Sequence, residues 1–132
     1  MNGILLVNKP RGISSAGCVY KLRNILNTKK VGHCGTLDPL ATGLLPICLG
    51  HATRFSSYIT NLNKGYKLKA ILGITSSTGD LEGDIIEEKE VDSEYLELPN
   101  IIQLFIGEQD QFPPMYSAIR RNGKPLYKWV RE

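Results

Sequence analysis

One acidic side chain stands alone in the first half of this chain. Asp38 is the single carboxylate among residues 1–69, which carry ten Lys and Arg. It lies in Gly35-Thr36-Leu37-Asp38-Pro39-Leu40-Ala41-Thr42-Gly43, a glycine-bounded loop interrupted by proline. Two readings of it stand side by side. An aspartate near Pro and Gly commonly bonds its own backbone in an Asx-turn. A carboxylate in basic surroundings can instead stay ionised, held charged by a nearby cation, and serve as a nucleophile.

Other chemistries lack their residues. No second acid accompanies Asp38 within residues 1–79, so a two-carboxylate glycosidase pair has no local support. His33 and Cys34 are adjacent and cannot easily face one ion, and Cys48 and His51 alone make a weak metal pattern. No metal is expected. Neither a P-loop nor a G-x-G-x-x-G run occurs, and Ser14-Ser15 have no neighbouring histidine to activate them. Tyr66, after Lys64-Gly65, reads either as a strand-packing residue or as a platform for an exposed base. His33 reads either as a loop or core histidine or, with Lys29, Lys30 and Arg54, as part of a phosphate- or base-facing surface.

These residues need elements to hold them. Gly3-Ile4-Leu5-Leu6-Val7 reads as a buried strand stopped by Lys9-Pro10-Arg11-Gly12. Ser14-Ser15 can cap a helix to about Asn27, with Val19, Leu22, Ile25 and Leu26 on its apolar face. Residues 28–43 read as one long loop, a length that tends to be functional inside a compact domain. Residues 44–49 read as a second buried element, with Pro46 placing it at an edge or bend. A short helix is expected over 52–59, an alternating strand over 66–72, and turns over 73–83. Ile85-Ile86 would return as a hairpin strand, and Asp92-Ser93 would cap a helix ending near Phe105 and Gly107. Residues 111–116 cannot form a regular helix because of Pro113 and Pro114. A last helix starts near Pro125 and has no C-cap. The sum is an α+β, or mixed α/β, domain.

At 132 residues, 42% hydrophobic and 22% charged, the chain has ordinary globular composition and the length of one domain. No apolar run approaches a membrane span, and residues 1–12 lack the order of a signal peptide. Three widely separated cysteines suit neither a disulfide framework nor a metal knuckle, and a reducing cytoplasmic setting fits them. The net charge of +3 conceals an asymmetry. Residues 80–110 hold eleven acids against Lys89 alone, and residues 111–132 turn basic again. The basic half suits a polyanionic partner or, more plainly, a solvated face. The acidic stretch argues against uniform coating of nucleic acid.

Taken together, these segments closely resemble the TruB family of tRNA pseudouridine synthases. The resemblance is strongest in Gly32-His33-Cys34-Gly35-Thr36-Leu37-Asp38-Pro39-Leu40-Ala41-Thr42-Gly43-Leu44-Leu45-Pro46. It extends to residues 3–15, to Lys64-Gly65-Tyr66, to residues 72–83 and to Gln111-Phe112-Pro113-Pro114-Met115-Tyr116-Ser117-Ala118. It implies the pseudouridine synthase catalytic fold, a mainly antiparallel mixed sheet flanked by helices. It makes Asp38 the nucleophile and sets Tyr66 on the target uracil. His33 would contact the flipped-out nucleotide, Lys9-Pro10 would support the catalytic loop, and Lys9, Lys64 and Arg54 join the substrate-binding set. The implied substrate is the T-loop uridine of tRNA at position 55, extruded at a cost of about a few kcal/mol. No metal, cofactor or net redox change is implied, and the implied protein is a cytoplasmic monomer.

Three departures accompany the match. Asn8 stands where the family usually has Asp, and Cys34 where it has Thr. The family's acidic turn reads Ser76-Ser77-Thr78-Gly79-Asp80 here. Family chains also run further, adding an arginine partner for the aspartate, more core strands and an RNA-binding domain of PUA type. Residues 1–132 are therefore expected to be the N-terminal portion of the catalytic domain, incomplete at its C-terminus. Arg54 is a candidate substitute partner for Asp38. The alternative is a non-catalytic tRNA-binding or tRNA-folding module, or an inactive fragment; retention of both Asp38 and Tyr66 favours the enzyme.

Overall fold

The computed structural model describes residues 1–92 and 97–130. The chain mixes helices with small antiparallel sheets and divides into two compact units, Met1–Lys67 and Leu68–Glu132.

The first unit is built on a three-stranded antiparallel sheet. Its strands are β1 (Gly3–Lys9), β2 (Val31–His33) and β3 (Gly43–Leu49), in the order β1-β3-β2. Helix α1 (Ser15–Ile25) supplies the other side of the core. Cys18 and Val19 of the helix pack with Val31, Leu45, Ile47 and Leu49, and Leu5, Val7, Leu22 and Leu26 close around them. The register explains the pattern, because directly opposed residues share a face: Val7 opposes Leu45, Leu5 opposes Ile47, and Val31 opposes Leu49. The opposite face is covered only in part, around the fully buried Cys48. Ile4 and Leu6 point the other way and are more than half exposed, so the apolar run at the start of the chain is half-buried rather than buried throughout.

Helix α1 begins as its sequence predicts. Ser14 has extended backbone and its Oγ accepts the Gly17 N–H at 3.0 Å, a side-chain N-cap. The buried face runs Ser15, Cys18, Val19, Leu22, Leu26, at helical spacing. Ile25, expected on it, is exposed, and Cys18 takes its place. At 100° per residue Ile25 lies only about 20° beyond Cys18, at the edge of that arc, and it is the last residue of the helix. At the far end Arg23 Nη2 donates to the Val31 carbonyl at 3.0 Å and ties the helix to β2.

Strand β2 interrupts the long loop expected over 28–43. It also makes β3 the central strand, although Pro46 predicts an edge or a bend. The geometry removes the conflict. In an antiparallel ladder a residue's N–H and C=O face the same neighbour. The Pro46 carbonyl accepts the Cys34 N–H at 2.8 Å, so its missing donor falls opposite Cys34, just past the last residue of β2. No ladder bond within the strand pair is lost.

After β3 come a 3-10 helix (Gly50–Phe55) and α2 (Ser56–Thr60), matching the helix expected over 52–59. Asn2 Oδ1 accepts the His51 N–H at 2.8 Å and caps the 3-10 turn. Lys64 Nζ donates to the carbonyls of Thr60 and Leu62, closing the end of α2.

In the second unit, β4 (Ile74–Ser76) and β5 (Ile85–Glu88) form a hairpin. Alternation predicts its first strand over 66–72, but those residues carry no regular structure and are exposed. α3 (Leu98–Gln103) falls within the span expected for the third helix; its N-cap is Glu97 and not the expected Asp92, and Ser93 lies outside the described residues. β6 (Arg120–Arg121) and β7 (Lys124–Pro125) flank Asn122-Gly123, both at positive φ, a two-residue hairpin turn not among the expected elements. α4 (Leu126–Val130) starts where Pro125 predicts.

The turn between β4 and β5 is closed by side chains. Asp80 Oδ1 accepts from Thr78 Oγ1 at 2.5 Å and from the Glu82 N–H at 2.9 Å. The hydroxyl of Thr78, then the Glu82 amide, hold the Asp80 carboxyl below its ordinary value of 3.8. A depressed carboxyl stabilises the folded turn above its unfolded value and loses that contribution as pH falls through the folded one. NMR titration of Asp80 is expected to give a midpoint below that of an unstructured peptide, and Thr78→Ala to move it upward. In the first unit, Ile47 is fully buried at the centre of the core. Ile47→Ala is expected to cost about 2–5 kcal/mol in urea unfolding, through lost transfer energy and the cavity left behind.

Candidate active site

The loop carrying Asp38 is held at both flanks by groups outside it. On one side, Leu37 donates its N–H to Ser15 Oγ at 2.9 Å, and Ser15 Oγ donates to the Leu37 carbonyl at 3.1 Å. On the other, the Pro39 carbonyl accepts the Gly12 N–H at 2.8 Å and a bond from Lys9 Nζ at 3.3 Å. Gly12 sits at φ +85°, left-handed backbone that glycine adopts without strain, and this aims its N–H at the loop.

Lys9 is the last residue of β1 and is fully buried. Its Nζ also donates to the carbonyls of Ile13 at 2.8 Å and Pro10 at 3.1 Å. Three carbonyls thus occupy three donors, the arrangement that makes a buried ammonium tolerable. The family resemblance gives Lys9 two roles, support of the catalytic loop and substrate binding; in the structure its fully buried side chain bonds backbone carbonyls, that of Pro39 in the loop among them.

Asp38 itself is exposed. Its main-chain carbonyl accepts the Ala41 N–H at 3.0 Å, so the turn is a backbone turn. Among the described residues its carboxylate has no hydrogen-bond or ion-pair partner, and the Asx-turn expected as one reading is not formed. The cation expected beside it is likewise not found among those residues. Arg54, exposed in the 3-10 helix, makes no ion pair with it.

A cleft of about 770 Å³ opens in the first unit. Its walls are residues 34–37 and 40–46 on one side and residues 59 and 62–67 on the other. Leu37 and Leu40, which bracket Asp38-Pro39, therefore share a cavity with Tyr66 and Lys64. Tyr66 is 70% exposed, so its ring is open to a ligand. Lys64 lines the cleft while its ammonium closes α2. His33 opposes Ile47 at the end of β2 and does not line it. His33 Nδ1 lies 2.6 Å from the Gly35 carbonyl, which can only accept, so Nδ1 carries the proton and Nε2 is left for another partner. Asp38, Lys9 and Arg54 are also outside the lining.

Cys34 and Cys48 meet beneath the loop's root with Sγ···Sγ 3.1 Å. Burial, and then the hydrogen bond with Cys48, push the Cys34 thiol up to about 11. A thiol so shifted is poorly nucleophilic at neutral pH. Ser15 and Gly12 were not singled out as site residues from the sequence. The available signal was two successive serines at one helix start, where a cap requires only one.

Comparison with known proteins gives this arrangement a family. The family model described as TruB family pseudouridylate synthase (N terminal domain) matches residues 23–132, and the chain belongs to that family. It is 46% identical to the tRNA pseudouridine synthase B of Idiomarina loihiensis over 132 residues, which is 100% of this chain and 43% of that protein. It is 48% identical over 131 residues to the enzymes of the same name from Ectopseudomonas mendocina and Chromobacterium violaceum, covering 99% of this chain and 43% of each. The chain thus spans 43% of the length of these curated relatives.

Removing the Lys9 ammonium leaves three carbonyls to find new partners at the loop's base. Lys9→Met keeps most of the side chain's length and is expected to lower unfolding free energy by about 2–4 kcal/mol, read by urea denaturation.

Proposed function

We propose that the chain is the N-terminal portion of a pseudouridine synthase catalytic domain and provides the nucleophilic half of its site. The reaction is isomerisation of uridine to pseudouridine in the T-loop of tRNA, at position 55. The observation that carries this reading is an unpartnered carboxylate on a loop gripped at both flanks, beside a cleft that an open tyrosine ring lines. Membership of the TruB family supports it.

In this reaction the N1–C1′ bond of uridine breaks, the base turns, and a C5–C1′ bond forms. Substrate and product are isomers, so no electrons enter or leave. Asp38 is the nucleophile, and one carboxylate serves whether it adds to the sugar or to the base. The target base must leave its stack before attack, and Tyr66 receives it face to face. Departure of the C5 proton needs a base, and the Tyr66 hydroxyl is the candidate. His33 and Lys64 meet the flipped nucleotide or its neighbours. Lys29, Lys30 and Arg54 meet backbone phosphates, whose neutralisation releases counterions and offsets part of the flipping cost. The arginine that completes the aspartate's charge environment belongs to the remainder of the family's catalytic domain. The whole enzyme acts as a cytoplasmic monomer without metal or cofactor.

Incubation with T-stem-loop RNA followed by carbodiimide labelling of pseudouridine tests the assignment. Asp38→Asn is expected to lower turnover by roughly 10³-fold or more while leaving RNA affinity within a few-fold. Turnover that survives this change would sink the nucleophile role.

A further inference from the structure

The start of α1 carries two serines with different partners. Ser14 caps the helix through the Gly17 N–H. Ser15 is 1% exposed, and its hydroxyl bonds both backbone groups of Leu37, twenty-two residues away. A hydroxyl that accepts from one residue's N–H and donates to the same residue's C=O restrains the peptide planes on both sides of it. Leu37 immediately precedes Asp38, and the residue that follows Asp38 is gripped by Gly12 and Lys9. Among the described residues nothing holds the Asp38 carboxylate itself. Its direction is therefore set by main chain fixed at both neighbours and by two side-chain torsions.

We propose that Ser15 is the positioning residue for Asp38, locking the Leu37 backbone so that the carboxylate is presented at one place. This rests on the reading of Asp38 as the nucleophile. Ser15 touches no substrate and takes no proton. Without its hydroxyl, the Leu37 N–H and C=O turn to water and the loop is anchored through Pro39 alone. The carboxylate then samples a wider volume. A displacement near 1 Å at a reacting group costs about 10²-fold in rate.

Amide hydrogen exchange on the 132-residue chain reads the anchor without any substrate. The Leu37 N–H is expected to exchange slowly in the wild type and about ten-fold faster or more in Ser15→Ala, with the Gly12 N–H little changed. Ser14→Ala is the control. It frays α1 and lowers the melting temperature, yet leaves Leu37 protected. With T-stem-loop RNA, Ser15→Ala is expected to lower kcat about 10- to 100-fold with KM nearly constant, and Ser14→Ala to keep kcat. Ser15→Thr retains the hydroxyl and restores Leu37 protection; should its extra methyl prevent folding, the two alanine variants still decide. Equal Leu37 exchange in wild type and Ser15→Ala overturns the proposal, as does an equal loss of kcat in both alanine variants. Pseudouridine formation that survives Asp38→Asn overturns the nucleophile reading, while the exchange comparison still decides whether Ser15 holds the loop.

Discussion

The buried ammonium of Lys9 is the interaction on which the arrangement of the first unit turns. A lysine withdrawn from water demands polar partners, and main-chain carbonyls from three separate residues answer it. Those residues belong to the turn after β1, to the approach to α1 and to the loop that carries Asp38. Lys9 also stands opposite Gly43, where that loop re-enters the sheet as β3. One charge at the end of one strand therefore fixes where the chain turns, where the helix begins and where the long loop returns. Hydrophobic packing could not do this alone, because apolar contact is non-directional and does not choose among backbone paths.

The two units handle their apolar residues differently. The first has a compact core in which Ile47 and Cys48 are fully buried and Leu45 is nearly so. In the second, Leu126 is the one buried hydrophobic side chain among the described residues, while Ile86, Phe105 and Phe112 are exposed. Local hydrogen bonds are what organise that unit: the Asp80 turn, the Asn122-Gly123 turn, and the bond from the Leu126 N–H to the Ile119 carbonyl at 2.8 Å. Such bonds each contribute modestly when water can compete for them.

Much of this was legible in the sequence where a local rule suffices. The cap at Ser14, the strand stopped by Lys9-Pro10, and the helical run after Gly50 follow from side-chain chemistry and spacing. What escaped was decided by partners. Alternation over 66–72 describes a strand only if a neighbouring edge is there to pair with, and hydrogen bonding favours Ile74–Ser76 instead. β2 is three residues long, too short to show a period. Pro46 reads as an edge residue until its one missing donor is seen to fall past the end of the neighbouring strand. Asp38 stood out as a lone acid in a basic half, but its support did not. A buried lysine runs against the usual preference of that residue, and Ser15 looks like a second copy of the cap beside it.

The anchors of the Asp38 loop grip its main chain and leave its side chains out of the bargain. Thr36, Leu40 and Thr42 line the cleft, yet the bonds from Ser15, Gly12 and Lys9 to Leu37 and Pro39 do not pass through them. The loop's orientation and its chemical lining are consequently separate variables. Changes at those three positions can retune what the cleft accepts without disturbing where the carboxylate sits. For an engineer this is a library with a fixed backbone: diversity belongs at the lining, and the invariant part lies elsewhere in the chain, in a strand end, a turn and a helix start.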